Sequence, residues 1–126
     1  MADFTGAVVL TGTARPGADG LTEVQLDGGG TVTSPDGGEG RVSVSVYPWE
    51  IAVEPPGDEP HGSTRNHIAA DVVSITTVGN RVRLGLMGSQ PLVAEITLAS
   101  AEQLELRQGD RVSATWKAAG TRLMAG

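Results

Sequence analysis

A chain of 126 residues with a net charge of −6, 39% hydrophobic but only 3% aromatic, has the length of one domain or two very small ones, with a core of Val, Leu, Ile and Ala. The charge argues against a nucleic-acid module held by phosphate neutralisation, and no apolar run reaches the ~18 residues of a membrane span. With no cysteine there is no disulfide, thiolate zinc site or Cys nucleophile.

The start, Met1-Ala2-Asp3-Phe4, lacks the basic stretch and apolar core of a secretion signal, so a cytoplasmic location is expected. Ala7-Val8-Val9-Leu10 reads as a first strand, and Leu21-Thr22-Glu23-Val24-Gln25-Leu26 alternates as a second. Asp27-Gly28-Gly29-Gly30 makes the turn into a third at Thr31-Val32-Thr33. Beyond Pro35–Gly40, Arg41-Val42-Ser43-Val44-Ser45-Val46-Tyr47 is a fourth. Glu54-Pro55-Pro56-Gly57-Asp58-Glu59-Pro60-His61-Gly62 then has the composition of a linker. Up to Gly62 there are two basic residues against ten acids (−8); beyond it there are seven against five (+2).

The second half repeats the order. Val72-Val73-Ser74-Ile75 leads to a turn at Gly79-Asn80, and Arg81–Leu86 alternates polar with apolar. Leu92-Val93-Ala94-Glu95-Ile96 follows Pro91. Ser100 as N-cap with Gln103 three residues on predicts a short helix through Leu104. After the turn at Gln108-Gly109-Asp110, Val112–Trp116 resumes the alternation. Gly40-Arg41-Val42-Ser43 matches Asp110-Arg111-Val112-Ser113 at an offset of 70 residues, the signature of an internal duplication. The expected fold is all-β: two tandem OB-like small barrels, at residues 1–54 and 63–126 with a linker at 55–62, and one short helix in the second.

Two segments stand out. Gly62-Ser63-Thr64-Arg65-Asn66-His67 precedes the second barrel's first strand, and Trp116-Lys117-Ala118-Ala119-Gly120-Thr121 ends its fourth. Separately they read as a turn and a solvated strand end. Together they bring cations, hydroxyls and backbone N–H groups to strand termini free of Asp and Glu, the makings of an anion cradle on the basic half. Lys117, the only lysine, is preceded by Ala114-Thr115-Trp116 rather than a glycine loop, which excludes a P-loop ATPase within this chain. Ser63, His67 and Asp71 are the nearest approach to a hydrolase triad, but no nucleophile elbow accompanies them. Two histidines are too few for a three-His zinc site. No enzyme activity, cofactor or metal is expected.

Ser63-x-Arg65-Asn66, Val72-Val73-Ser74, Glu95-Ile96-Thr97-x-x-Ser100, Leu104-x-Leu106-x-x-Gly109-Asp110-x-Val112 and Lys117-Ala118 resemble the Mop domain, a molybdate-binding branch of the TOBE (transport-associated OB) domains. Phe4-x-Gly6 and Val44–Ile51 resemble a more general TOBE half. The resemblance implies a tetrahedral oxyanion ligand, molybdate or tungstate with sulfate as a further candidate. It assigns the ligands to Ser63, Thr64, Arg65, Asn66, Lys117 and Ala118. Ala119 departs from it, standing where many members carry a hydroxyl, and Thr121 is a candidate to compensate. Implied partners are a second copy of the chain at the site and the ATPase domain and permease of an ABC importer. In that setting the chain is the regulatory and dimerisation tail of the ATP-binding subunit, at the inner membrane's cytoplasmic face, with a nucleotide-binding domain ahead of Phe4. A free-standing molybdate buffer and a purely structural TOBE module are the alternatives.

Overall fold

The computed structural model describes residues 6–56 and 65–125. Ten strands form two antiparallel five-stranded sheets. β1 (Val8–Pro16), β2 (Thr22–Leu26), β3 (Thr31–Ser34) and β4 (Gly40–Val46) build the first, and β6 (Arg65–Val78), β7 (Arg81–Met87), β8 (Pro91–Thr97) and β9 (Arg111–Lys117) the second. A single 3-10 turn follows each fourth strand, at Pro48–Glu50 and Ala118–Gly120, and leads into a short strand: β5 (Ala52–Glu54) or β10 (Arg122–Ala125). The sheets then run β10-β4-β1-β2-β3 and β5-β9-β6-β7-β8, the same order twice. This is the tandem OB-like architecture expected from the sequence.

The short strands change sides. β5 leaves the first half and pairs with β9, Ala52 opposite Thr115, while β10 returns to pair with β4, Leu123 opposite Val44. Strand pairing therefore crosses the division expected at residues 55–62 in both directions, and residues 57–62 of that linker lie outside the described ones. One continuous aliphatic core results, with Leu10, Ile51, Leu84 and Trp116 fully buried in it.

Three local readings differ from the sequence expectation. β1 extends to Pro16 because Gly12 and Ala14 keep the inward alternation with small side chains, and a Cβ at Gly12 would run into Gln25 and Val24 of β2. β6 begins at Arg65, so Arg65, Asn66 and His67 are strand rather than turn. The helix α1 (Leu98–Leu104) is capped by Thr97, not Ser100: the Thr97 hydroxyl accepts the Ser100 N–H at 3.1 Å, and Ser100 lies inside the first turn.

Candidate functional site

The start of β6 and the end of β9 place Arg65 directly opposite Lys117. Val72 N–H donates to Asp110 C=O on the β9 side, so by strand alternation residues 70, 68 and 66 also turn their backbone bonds toward β9 and 69, 67 and 65 turn away. Arg65 and Lys117 are thus a non-hydrogen-bonded pair, in which side chains approach most closely. Like charges placed opposite one another on a sheet destabilise it. Six arginines, at 15, 41, 81, 83, 111 and 122, lie within ion-pair distance of a carboxylate; neither Arg65 nor Lys117 has such a partner among the described residues. Arg65, half-buried, donates through Nη2 to the Thr115 hydroxyl at 2.8 Å, while Lys117 is exposed. Ala118 is buried and opens the 3-10 turn, and Ala119 is exposed. Ser63 and Thr64 lie outside the described residues.

Asn66 is placed differently from Arg65. It faces inward, 3% exposed, with its Oδ1 accepting the Thr33 N–H at 2.8 Å and its Nδ2 donating to Thr33 C=O at 3.2 Å and Thr121 Oγ1 at 3.1 Å. Its side chain joins β6 to β3 of the other module and sets the position of Arg65 beside it. Thr121 does not compensate for Ala119. Its hydroxyl is fully buried, accepts from Trp116 Nε1 at 3.0 Å and from Asn66, and donates to Lys117 C=O at 3.1 Å. Ser34 Oγ holds the Thr121 carbonyl at 2.7 Å. This buried network fixes the end of β9 and the turn after it.

Thr115, fully buried on β9, and Thr121 are the residues sequence reasoning passed over as supports. The only signal for Thr115 was a hydroxyl on the same strand face as Lys117. Of the triad candidates, Ser63 lies outside the described residues, and His67 and Asp71 stand four residues apart on β6, where Asp71 pairs with Arg111 at 3.1 Å. No group of three His, Asp or Glu side chains among the described residues is arranged to hold a metal ion. No described helix is long and apolar enough to cross a membrane. Glu50 packs against Gly120, where any side chain would overlap its carboxylate.

Compared with known families, residues 62–123 match the TOBE domain. Residues 62–123 form a TOBE domain. Both segments singled out in the sequence, 62–67 and 116–121, fall within it. Among solved structures, the chain is similar to a molybdate-bound crystal structure of the cytoplasmic molybdate-binding protein ModG, at 20% identity and a TM-score of 0.78. The likeness covers 94% of this chain and 96% of that one, so the module ahead of the TOBE domain shares the fold. No curated protein matches the chain by sequence.

Proposed function

We propose that this protein binds a tetrahedral oxyanion, molybdate or tungstate, at its TOBE domain and acts as a free-standing buffer of that anion. The observation that carries the reading is the cross-strand pair of cations at Arg65 and Lys117, which stand opposite each other with no ion-pair partner among the described residues. A dianion seated there turns a repulsive pair into two charge-assisted contacts. Thr115 holds the Arg65 guanidinium in place, and the Asn66–Thr121 network holds the turn that carries Ala118. Ser63 and Thr64, next in sequence before Arg65, add hydroxyl and N–H donors. The likeness to ModG over nearly the whole of both chains supports the free-standing reading over the regulatory tail of an ABC ATPase. That setting, with its permease and a second copy completing the site, remains the alternative on which the family resemblance bears.

Calorimetric titration with molybdate, tungstate, sulfate and phosphate tests this. Removing a hydrogen bond to a charged group costs about 1.5–3 kcal/mol, which is roughly 10- to 150-fold in affinity. Arg65→Ala and Lys117→Ala should each weaken molybdate binding by that factor. No heat from any oxyanion at millimolar concentration would refute the reading.

A further inference from the structure

β9 lies between β6 and β5 in the second sheet. Lys117, its last residue, has Arg65 opposite it on the β6 side. On the other side β5 runs antiparallel, with Ala52 opposite Thr115. The turn ahead of β5, Pro48–Glu50, therefore lies beside the end of β9 and the turn that follows it, Ala118–Gly120. Gly120 marks the contact, because a Cβ there would collide with Glu50 Oε1. Three residues of 3-10 turn advance about 6 Å along the axis. A carboxylate of the first module thus stands one short turn away from the proposed oxyanion cradle.

The fold holds that carboxylate where it is. Pro48 and Ile51 are buried on either side of it, and Glu50 N–H donates to Tyr47 C=O at 2.9 Å. Glu50 and Gly120 are the same position of the repeat, 70 residues apart, so the glutamate of one module lies in the space left by the missing side chain of the other. Among the described residues no cation lies within ion-pair distance of Glu50. Arg122, two residues beyond Gly120, is committed to Asp36 at 2.9 Å. Two cations without a carboxylate and one carboxylate without a cation therefore share one end of β9. Lys117 carries its charge on a flexible four-carbon stem and is exposed, free to turn toward either neighbour.

We propose that Glu50 sets the charge selectivity of the cradle, an inference that rests on the oxyanion reading above. A fixed negative charge repels a bound anion in proportion to the anion's own charge. Glu50 therefore weakens a dianion such as molybdate by twice the free energy that it costs a monoanion of the same shape. With the cradle empty, it also offers Lys117 a counter-charge that an arriving anion must displace. Both effects hold the affinity down, which suits a buffer that has to release what it binds. Arg65 and Lys117 attract the anion from the TOBE domain, and Glu50 limits that attraction from the first module.

Perrhenate, a tetrahedral monoanion close to molybdate in size, separates this role from a structural one. Glu50→Gln keeps the shape of the side chain over Gly120 and removes its charge. Calorimetry on the full chain at low ionic strength should show Glu50→Gln tightening molybdate roughly three- to tenfold, and perrhenate by the square root of that factor. At 1 M NaCl, where the Debye length is about 3 Å, the gain should vanish. Glu50→Asp keeps the charge and should show no such gain. Glu54→Gln removes the same charge opposite Ser113, about 13 Å back along β9 from Lys117, and should change affinity far less. Lys117 is the only lysine, so ¹³C-lysine labelling gives a single side-chain signal, which Glu50→Gln should shift with no anion present. Unchanged or weaker molybdate binding in Glu50→Gln overturns the proposal, and so does an equal gain for molybdate and perrhenate or an unmoved Lys117 signal. Each of these leaves the cradle standing. Failure of the wild-type chain to bind any oxyanion refutes the cradle itself, so the two failures are read separately.

Discussion

The two modules share strand order, register and crossover, yet differ at the positions where chemistry is possible. Ala7 and Tyr47 occupy the places of Arg65 and Lys117, and Ile51 that of Thr121. Where the TOBE domain ends its fourth strand on a cation, the first module stacks Tyr47 on Trp49, ring centroids 4.6 Å apart and nearly parallel. Where the TOBE domain buries a hydroxyl network, the first buries an aliphatic side chain. The fold needs only the alternation both halves keep; the proposed function needs the few positions where they part. A duplicated scaffold has one module free to specialise while the other supplies the strand that closes its partner's sheet.

The largest expected effect separates the equivalent positions Thr121 and Ile51. Thr121→Val keeps shape but leaves Trp116 Nε1–H and one of the two Asn66 Nδ2 N–H groups buried without an acceptor, the other still reaching Thr33 C=O. Two stranded donors at about 1–3 kcal/mol each predict a loss of roughly 2–6 kcal/mol in urea unfolding. Ile51→Val removes one methylene from the core and should cost about 0.5–1.5 kcal/mol. Similar losses at both would mean the network contributes no more than packing does. Because Thr121 also fixes the Lys117 carbonyl, Thr121→Val should weaken molybdate binding as well, and Ile51→Val should not.

Transplanting the cations sharpens the comparison further. Ala7→Arg with Tyr47→Lys recreates the cross-strand pair on the first module. The wild-type chain should bind one molybdate per chain through Arg65 and Lys117, and the double variant a second, more weakly, because this half carries a net charge of −8 before the change. A stoichiometry that stays at one would show that the paired cations are not sufficient and that the donors around Ser63 carry more of the binding. A smaller change is expected at Ala119, exposed at the cradle's turn. Ala119→Ser adds one neutral hydrogen bond, about 0.5–1.5 kcal/mol, so molybdate affinity should rise by at most about tenfold. Unchanged affinity would place the anion out of reach of that side chain.

Much of this was legible in the sequence, for stated reasons. Alternation in Arg41–Tyr47 and Arg81–Leu86 reveals half-buried strands whichever sheet they join. That same indifference hid the exchange of β5 and β10, since three or four residues of alternation say nothing about which neighbour they pair with. Arg65 and Lys117 were visible as isolated cations at strand ends, and their cross-strand pairing came only with the register. Asn66 read as a turn residue because its partners, Thr33 and Thr121, lie 33 and 55 positions away.

The junction between modules repeats the contrast in a form that pH can read. One side is locked by the neutral Asn66–Thr33–Thr121 contacts. The other is joined by Gln90, whose carboxamide bonds the Thr11 and Asp27 backbone. Asp27 braces that turn within the first module, its carboxylate receiving two bonds from the Arg41 guanidinium at 2.8 and 2.6 Å and one from the Thr11 hydroxyl at 2.8 Å. These hydrogen bonds, Arg41's first, hold the Asp27 carboxyl far below the usual carboxylate range, and Asp27 in turn raises Arg41. A carboxyl whose pKa is depressed in the folded state contributes stability that is present above its unfolded value, about 3.9, and is lost as pH falls below it. Both groups are exposed to solvent, so the contribution is small and screened by salt. Asp27→Asn should therefore lower the melting temperature slightly at pH 7 and low ionic strength, with the difference from wild type narrowing by pH 3. Asn66→Ala should lower it by more, and by the same amount at both pH values. A difference for Asp27→Asn that persists unchanged at pH 3 would mean its hydrogen-bonding geometry, rather than its charge, holds that side of the junction.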